Sequence, residues 1–308
     1  MVSSSLAFAN NVGAYQIGVL VSYVLLGVTT TQTYVYFRRF PDDSRSLKAL
    51  VAVVWVCELT HALCVGNALY AYTISSYRHP AMLNNSPWTL HVAFIIVSFI
   101  VACVQGFFGV KIYGFSGKLY IPVLIWVLAC LRLVASASIF LLPLNPLNPE
   151  NMGSNLNIAS SWELFCTAAW ITSVINDVLI TITLVLLLRR QRAGLPRRTT
   201  ALVDKIIIWS IETGMMTSAL GIVELLCFLV LSYQSWTWIA ISTVEARIFA
   251  NSFLASLNGR TTLRALSDAP LSFVIPTMET FSSVQIMSAR QNISDSVSHS
   301  GQTTKEGV

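Results

Sequence analysis

Seven apolar runs, each long enough to cross a bilayer as a helix, follow one another along the chain with polar connections between them. A hydrocarbon layer of about 30 Å needs roughly 20 residues of helix, and the runs fall near residues 14–37, 48–74, 88–112, 119–142, 162–188, 203–231 and 237–258. The pattern predicts an all-α fold, an integral membrane bundle of seven transmembrane helices over residues 14–264. A short outer N-terminus over 1–13 precedes it. From about residue 267 the apolar density drops, and Ser282, Ser283, Ser288, Ser294, Ser296, Ser298 and Ser300 crowd together, so residues 265–308 read as a disordered cytoplasmic tail whose hydroxyls are candidates for phosphorylation.

The basic residues sort by connection. Arg38, Arg39, Arg45 and Lys48 follow the first run, Lys111 and Lys118 the third, and Arg189, Arg190, Arg192, Arg197, Arg198 and Lys205 the fifth, while the tail adds Arg260, Arg264, Arg290 and Lys305. The alternate connections hold only Arg78, and the N-terminus holds no Lys or Arg. Cytoplasmic connections carry the Lys and Arg excess, which predicts an outer N-terminus and a cytoplasmic C-terminus. No basic start or small-residue cleavage site marks a secretory signal, so the first run is expected to serve as an uncleaved anchor.

Composition agrees: of 308 residues 55% are hydrophobic and only 11% charged, and the mean hydropathy of +0.66 is too apolar for a water-soluble domain. The formal net charge of +5 is a topological signal, and no nucleic-acid partner is expected. Arg189, Arg190, Arg192, Arg197 and Arg198 read as a contact for anionic lipid headgroups or for a cytoplasmic signalling partner. The expected partner is the bilayer itself, with the plasma membrane as the default location. The oligomeric state is not legible. All six cysteines, Cys57, Cys64, Cys103, Cys130, Cys166 and Cys227, fall in or beside the runs, which argues against a disulfide-stapled outer domain.

The informative chemistry lies inside the runs. An ionisable side chain near the bilayer centre costs at least about 2.5 to 3.5 kcal/mol, so it faces the interior, finds a partner and marks function. Glu58 and His61 lie in the second run, Arg132 in the fourth, Asp177 in the fifth, Glu212 and Glu224 in the sixth, and Glu245 and Arg247 in the seventh. Five acids thus face two arginines and one histidine, which leaves carboxyls to be neutral, hydrogen-bonded, or matched by something bound. On the seventh run Thr243, Arg247, Asn251 and Asn258 fall within about 80° of one another, an inward polar stripe. Glu245 points elsewhere, so Arg247 needs an acid from another helix, with Asp177 and Glu58 as candidates. Arg132 takes the other.

Glu58 and His61 share a helical face with Cys57 and Cys64, a weak soft-metal pattern, since real sites draw ligands from several elements. A hydrogen-bonded Glu58–His61 pair is the plainer reading, and no metal is expected. No lysine stands in the seventh run for a retinal Schiff base, and only His61 lies deep enough for haem, so no cofactor is expected either. No nucleophile with its base, phosphate loop or exposed carboxylate pair appears, which argues against an enzyme.

The residues Gln32-Thr33-Tyr34-Val35-Tyr36-Phe37, Phe40-Pro41-Asp42-Asp43, the segment 55–61, Gln105-Gly106-Phe107-Phe108, Asp177-Val178-Leu179-Ile180 and Asn251-Ser252-Phe253-Leu254-Ala255-Ser256-Leu257-Asn258 are similar to a family of mushroom-type fungal seven-span membrane proteins, catalogued as domain of unknown function 6534. The resemblance runs over roughly residues 14–264. It implies the seven-span topology without an activity, and it places polar or charged residues at Glu58, His61, Asp177, Arg247, Asn251 and Asn258, the main candidates for a ligand or ion pocket. Arg132, Glu212, Glu224 and Glu245 have no place in that pattern and form a secondary set. Seven runs, an outer N-terminus, basic inner connections and a serine-rich tail suit a receptor-like protein sensing a small ligand from the outer side. The alternative is a proton- or cation-coupled secondary transporter or channel that uses the midplane carboxyls.

Overall fold

The computed structural model describes residues 2–75, 87–141, 156–192, 197–231 and 235–266, with the side chains of residues 10–75, 87–137, 164–190, 204–231 and 235–260. The expected serine-rich tail from residue 267 onward lies outside the described residues. Every regular element among the described residues is helical: α1 Val2–Arg39, α2 Arg45–Tyr70, α3 Trp88–Ser116, α4 Tyr120–Leu141, α5 Leu156–Arg192, α6 Arg197–Val230 and α7 Thr237–Leu266. A π-helical turn, Ala71–Ser75, extends α2. Helix α1 starts at Val2, so most of the expected outer N-terminus is itself helical.

Local signals fix the ends. Ser44 caps α2, its hydroxyl accepting from the Leu47 amide at 3.4 Å. Gly117 ends α3 in the left-handed region, φ 64°, which glycine enters without the Cβ clash that penalises other residues.

The helices pack in a ring in which each touches its chain neighbours and α1 closes on α7, while α3 crosses the middle to reach α5 and α7 as well. Neighbours run antiparallel. The closing pair is different: hydrogen bonds join Ser22 to Arg247, Leu25 to Asn251 and Gln32 to Asn258 at sequence separations of 225, 226 and 226, so α1 and α7 lie parallel in a constant register. Gly18 sets their distance, because a Cβ there would meet the Ala240 carbonyl oxygen at 2.6 Å. The α5–α6 seam is equally close, with Gly214 against Thr181 and Gly221 against Val174.

Six of the helices carry segments long and apolar enough to cross a membrane: Asn10–Arg39, Arg45–Ser75, Trp88–Ser116, Tyr120–Ala137, Leu164–Arg190 and Asp204–Val230. Their outward faces are apolar, with Val24, Leu63, Val134, Ile175 and Leu226 all more than half exposed, as a face that meets lipid rather than water requires. The protein is a multi-pass helical membrane protein. Helix α7 is long enough but falls short on hydropathy, because it carries Glu245, Arg247, Asn251 and Asn258. Each of these polar side chains has a partner on a neighbouring helix.

Two of the apolar clusters form layers towards opposite ends of the bundle. At the end where α1 begins, Tyr15, Tyr72, Trp170, Phe228, Trp236 and Trp238 form an aromatic layer. Towards the other end Tyr36, Phe40, Ile100, Phe249, Phe253 and Leu257 pack together. That second end also bears the exposed Arg38, Arg39, Arg189 and Arg190 and is called the basic end below. Polar side chains lie between the layers.

Candidate functional site

Arg247 enters from α7 and is fully buried. Its Nε donates to Ser22 Oγ at 2.9 Å, Nη1 donates to the Glu58 carbonyl at 2.8 Å and to the Glu58 carboxylate, and Nη2 lies 3.1 Å from His61 Nδ1. A guanidinium has donors only, so Nδ1 accepts and the His61 ring proton sits on Nε2. Of the two acids the sequence offers to Arg247, Glu58 takes it. Asn251 and Asn258 continue the stripe, donating to the carbonyls of Leu25 at 3.3 Å and Gln32 at 2.9 Å, and Thr243 donates to Ala240 on its own helix. The stripe is therefore a seam between α7, α1 and α2 rather than the wall of a cavity.

A second centre lies across α7. Arg132 of α4 meets Glu245 in a two-pronged pair, Nη1 to Oε1 at 3.3 Å and Nη2 to Oε2 at 2.8 Å, and also donates to Ser173 of α5. Asp177 was the other acid expected to be taken by an arginine, and it is not in direct contact with either. Gln105 of α3 donates to its Oδ1 at 2.8 Å, and Asn176 in turn donates to Gln105 Oε1 at 2.8 Å and to the Ile125 carbonyl at 3.2 Å. Helix geometry explains the difference, since Glu245 stands two residues from Arg247 and so faces α4 while Arg247 faces α1 and α2.

Glu224 of α6 completes this centre. It is fully buried. Ser242 and the Trp170 indole lie beside it, and Arg132 and Glu245 act on it electrostatically. Asp177 is likewise within electrostatic reach of Arg132 and Glu245. Three carboxyls, Asp177, Glu224 and Glu245, thus lie within electrostatic reach of the Arg132 guanidinium, and Glu245 alone touches it. Glu212 does not join them. It is exposed on the outer face of α6, two residues from Gly214, which faces α5.

On the basic-end side of Asp177 a cavity of about 30 Å³ opens between α3, α5, α6 and α7, lined by Gln105, Asp177, Thr181, Ser210, Thr217 and Ser252 among others. That volume holds one or two water molecules, each needing roughly 10 to 15 Å³ by this measure. It is far below the several hundred Å³ of a pocket for an organic ligand.

His61 commits Nδ1 to Arg247, and no three His, Cys, Asp or Glu side chains among the described residues gather as a metal centre, so the set Cys57, Glu58, His61 and Cys64 does not assemble one. All six cysteines are free. Arg189 and Arg190 are exposed at the basic end, whereas the side chains of Arg192, Arg197 and Arg198 lie outside those described.

Three partners of these charged groups carry no signal of their own in the sequence. Gln105, Ser173 and Ser22 are ordinary polar residues in apolar runs, and only the fold shows that they meet charges. Arg260, counted with the tail, is buried at the foot of α7. It pairs with Asp43 through Nη1 at 3.2 Å and Nη2 at 2.5 Å, while its guanidinium stacks 4.2 Å from the centre of the Phe40 ring and Tyr36 donates to Asp43 at 3.0 Å. The acids after Phe40 were the available signal. Lys111, counted with a connection, is buried and donates to Ser256 of α7 at 3.1 Å.

Residues 173–262 match the model of a family described as Family of unknown function (DUF6534). The matched part of the chain holds Ser173, Asp177, Glu224, Glu245, Arg247, Asn251, Asn258 and Arg260, so it supplies the acids around Arg132 and the whole of the α7 seam, while Arg132, Glu58 and His61 lie outside it. It is the family that the motifs of the chain resemble. No curated protein and no solved structure matches the chain.

Proposed function

We propose that the chain is a seven-span membrane protein of the proton- or cation-coupled transporter or channel class, working at the carboxyls Asp177, Glu224 and Glu245 around Arg132. The observation that carries this reading is the charge imbalance there. Three buried acids face one guanidinium, and an uncompensated charge at this depth costs several kcal/mol, so a proton or a small cation balances the cluster. In the same reading α7 is the seventh span, its polar side chains being matched inside the bundle. The basic end is cytoplasmic, the N-terminus lies outside, and the plasma membrane is the default location.

A receptor-like role, sensing a small ligand from the outer side, is the second reading. Exposed Arg189 and Arg190 favour it, since a cytoplasmic signalling partner would meet them at the foot of α5. The cavity beside Asp177 is too small for an organic ligand and lies towards the basic end, which is why the ion reading leads. Proton and cation flux into liposomes carrying the purified protein decides between them. Flux abolished by Asp177→Asn in a folded protein supports transport. No flux from folded wild type removes it and leaves the receptor reading.

A further inference from the structure

Three helices turn one face each towards a common seam. On α6 the face is Ser210, Gly214, Thr217, Gly221, Glu224 and Phe228, spaced alternately four and three apart so that they stack along one side. On α5 it is Thr181, Asp177, Ser173 and Trp170, and on α7 it is Ser252, Glu245, Ser242 and Trp238. Read from the basic end, the seam passes from the hydroxyl-lined cavity to Asp177, then to the Arg132–Glu245 pair, then to Glu224. It ends in aromatic rings. Trp170 and Phe228 lie 4.7 Å apart, and Trp238 lies 5.6 Å from each of them, all edge to face.

We propose that the ion handled here is the proton, taken up by Glu224, reached from the basic end through the cavity at Asp177 and separated from the opposite end by the Trp170, Phe228 and Trp238 rings, which slow its passage without closing it. This rests on the ion-coupled reading above and narrows it. The surroundings of Glu224 decide against a metal ion. Hard cations take six or more oxygen ligands, whereas Glu224 has beside it one hydroxyl, one indole, one guanidinium and a carboxylate already paired with that guanidinium.

A proton needs no such shell. Added to one oxygen of Glu224 it gives a neutral carboxylic acid that can donate to a neighbour, and its loss returns the carboxylate. The charged groups facing Glu224 are Glu245 from α7 and Arg132 from α4, and Asp177 is the titratable group on the same face of α5, itself within reach of Arg132 and Glu245. Arg132 keeps its proton throughout, so it offsets one carboxylate at a time without joining the transfer. Water in the cavity carries the proton to and from Asp177, and the Glu245 carboxylate, which interacts with both acids, accepts it from one and hands it to the other.

The test is proton flux in liposomes holding the full chain, under a pH gradient with the membrane potential clamped and choline replacing sodium and potassium. The wild type is expected to pass protons in choline, with at least a tenfold loss in Glu224→Gln, and Trp238→Ala is expected to raise the leak only while Glu224 is present. Equal flux in wild type and folded Glu224→Gln overturns the proposal. Should that variant not fold, Thr217→Val keeps the carboxyl and removes a hydroxyl from the approach. Slower flux then supports the proposal and unchanged flux overturns it. In matched liposomes with sodium or potassium restored, flux of either ion that depends on Asp177, without proton flux in choline, overturns the proton assignment and leaves the cation reading standing. Absence of any flux that depends on Asp177 removes both.

Discussion

Replacing Arg247 by methionine removes the cation paired with Glu58 while keeping a long apolar side chain in its place. In the native protein both partners of this pair are fully shielded, 0% and 0% exposed, and the same guanidinium also satisfies Ser22, the Glu58 carbonyl and His61 Nδ1. The substitution leaves a buried carboxylate without its countercharge and three further polar groups without a donor. Removing one member of a buried pair costs about 3 to 5 kcal/mol, and each stranded neutral group adds up to about 1 kcal/mol where it cannot relax. A loss of roughly 4 kcal/mol is therefore expected. The assay is reversible unfolding in mixed micelles by denaturing detergent, followed by tryptophan fluorescence and helicity. The double variant Glu58→Met with Arg247→Met is the decisive partner, because replacing a buried pair by apolar groups of similar volume is close to neutral. It should recover at least half of the loss. A single variant within about 1 kcal/mol of wild type, or a double variant no better than the single, would refute the view that Arg247 holds α1, α2 and α7 together through charge.

Three further outcomes follow from the packing. Gly214→Ala sets a Cβ 1.8 Å from Thr181 Oγ1 and 2.8 Å from its Cβ, so unfolding in micelles should show a loss of about 1 to 3 kcal/mol, largely restored by adding Thr181→Ala. Gly106→Ala meets nothing within 4 Å, and helix propensity predicts a gain of about 0.5 to 1 kcal/mol in the same assay. Asp43→Asn weakens the two-pronged bond to Arg260, whose pair is 12% and 9% exposed, so amide exchange at residues 40–44 should quicken several-fold while exchange in mid-span helices stays unchanged.

The helices and their inward faces were legible because burial in lipid leaves a simple record: apolar outside, polar only where a partner waits. The stripe of Thr243, Arg247, Asn251 and Asn258 could be drawn from a 3.6-residue period alone. What it meets could not. Ser22, Leu25 and Gln32 lie about 225 residues away in sequence, and nothing in either helix says that α1 and α7 close the ring in parallel. The same lack of neighbour information hid the choice of Glu245 by Arg132 and the capture of Asp177 by Gln105. Arg260 and Lys111 were misplaced for another reason. Near a helix end a basic residue reads as a topological charge, yet both turn back into the bundle, Arg260 onto Phe40 and Asp43, Lys111 onto Ser256 and the Phe108 ring. Glu212 erred the other way, since position along α6 suggested depth while its angular position carries it outward.

On the proton-coupled reading, the carboxyls around Arg132 outnumber the charge available to them and Glu224 holds an exchangeable proton as a result. Infrared difference spectra of the membrane-embedded protein across a pH step read this directly, through the carbonyl stretch of a protonated carboxyl. Such a band is expected in the wild type, shifted in heavy water, lost in Glu224→Gln and altered in Asp177→Asn. A wild-type spectrum with no protonated-carboxyl band, or one that Glu224→Gln leaves intact, would contradict it.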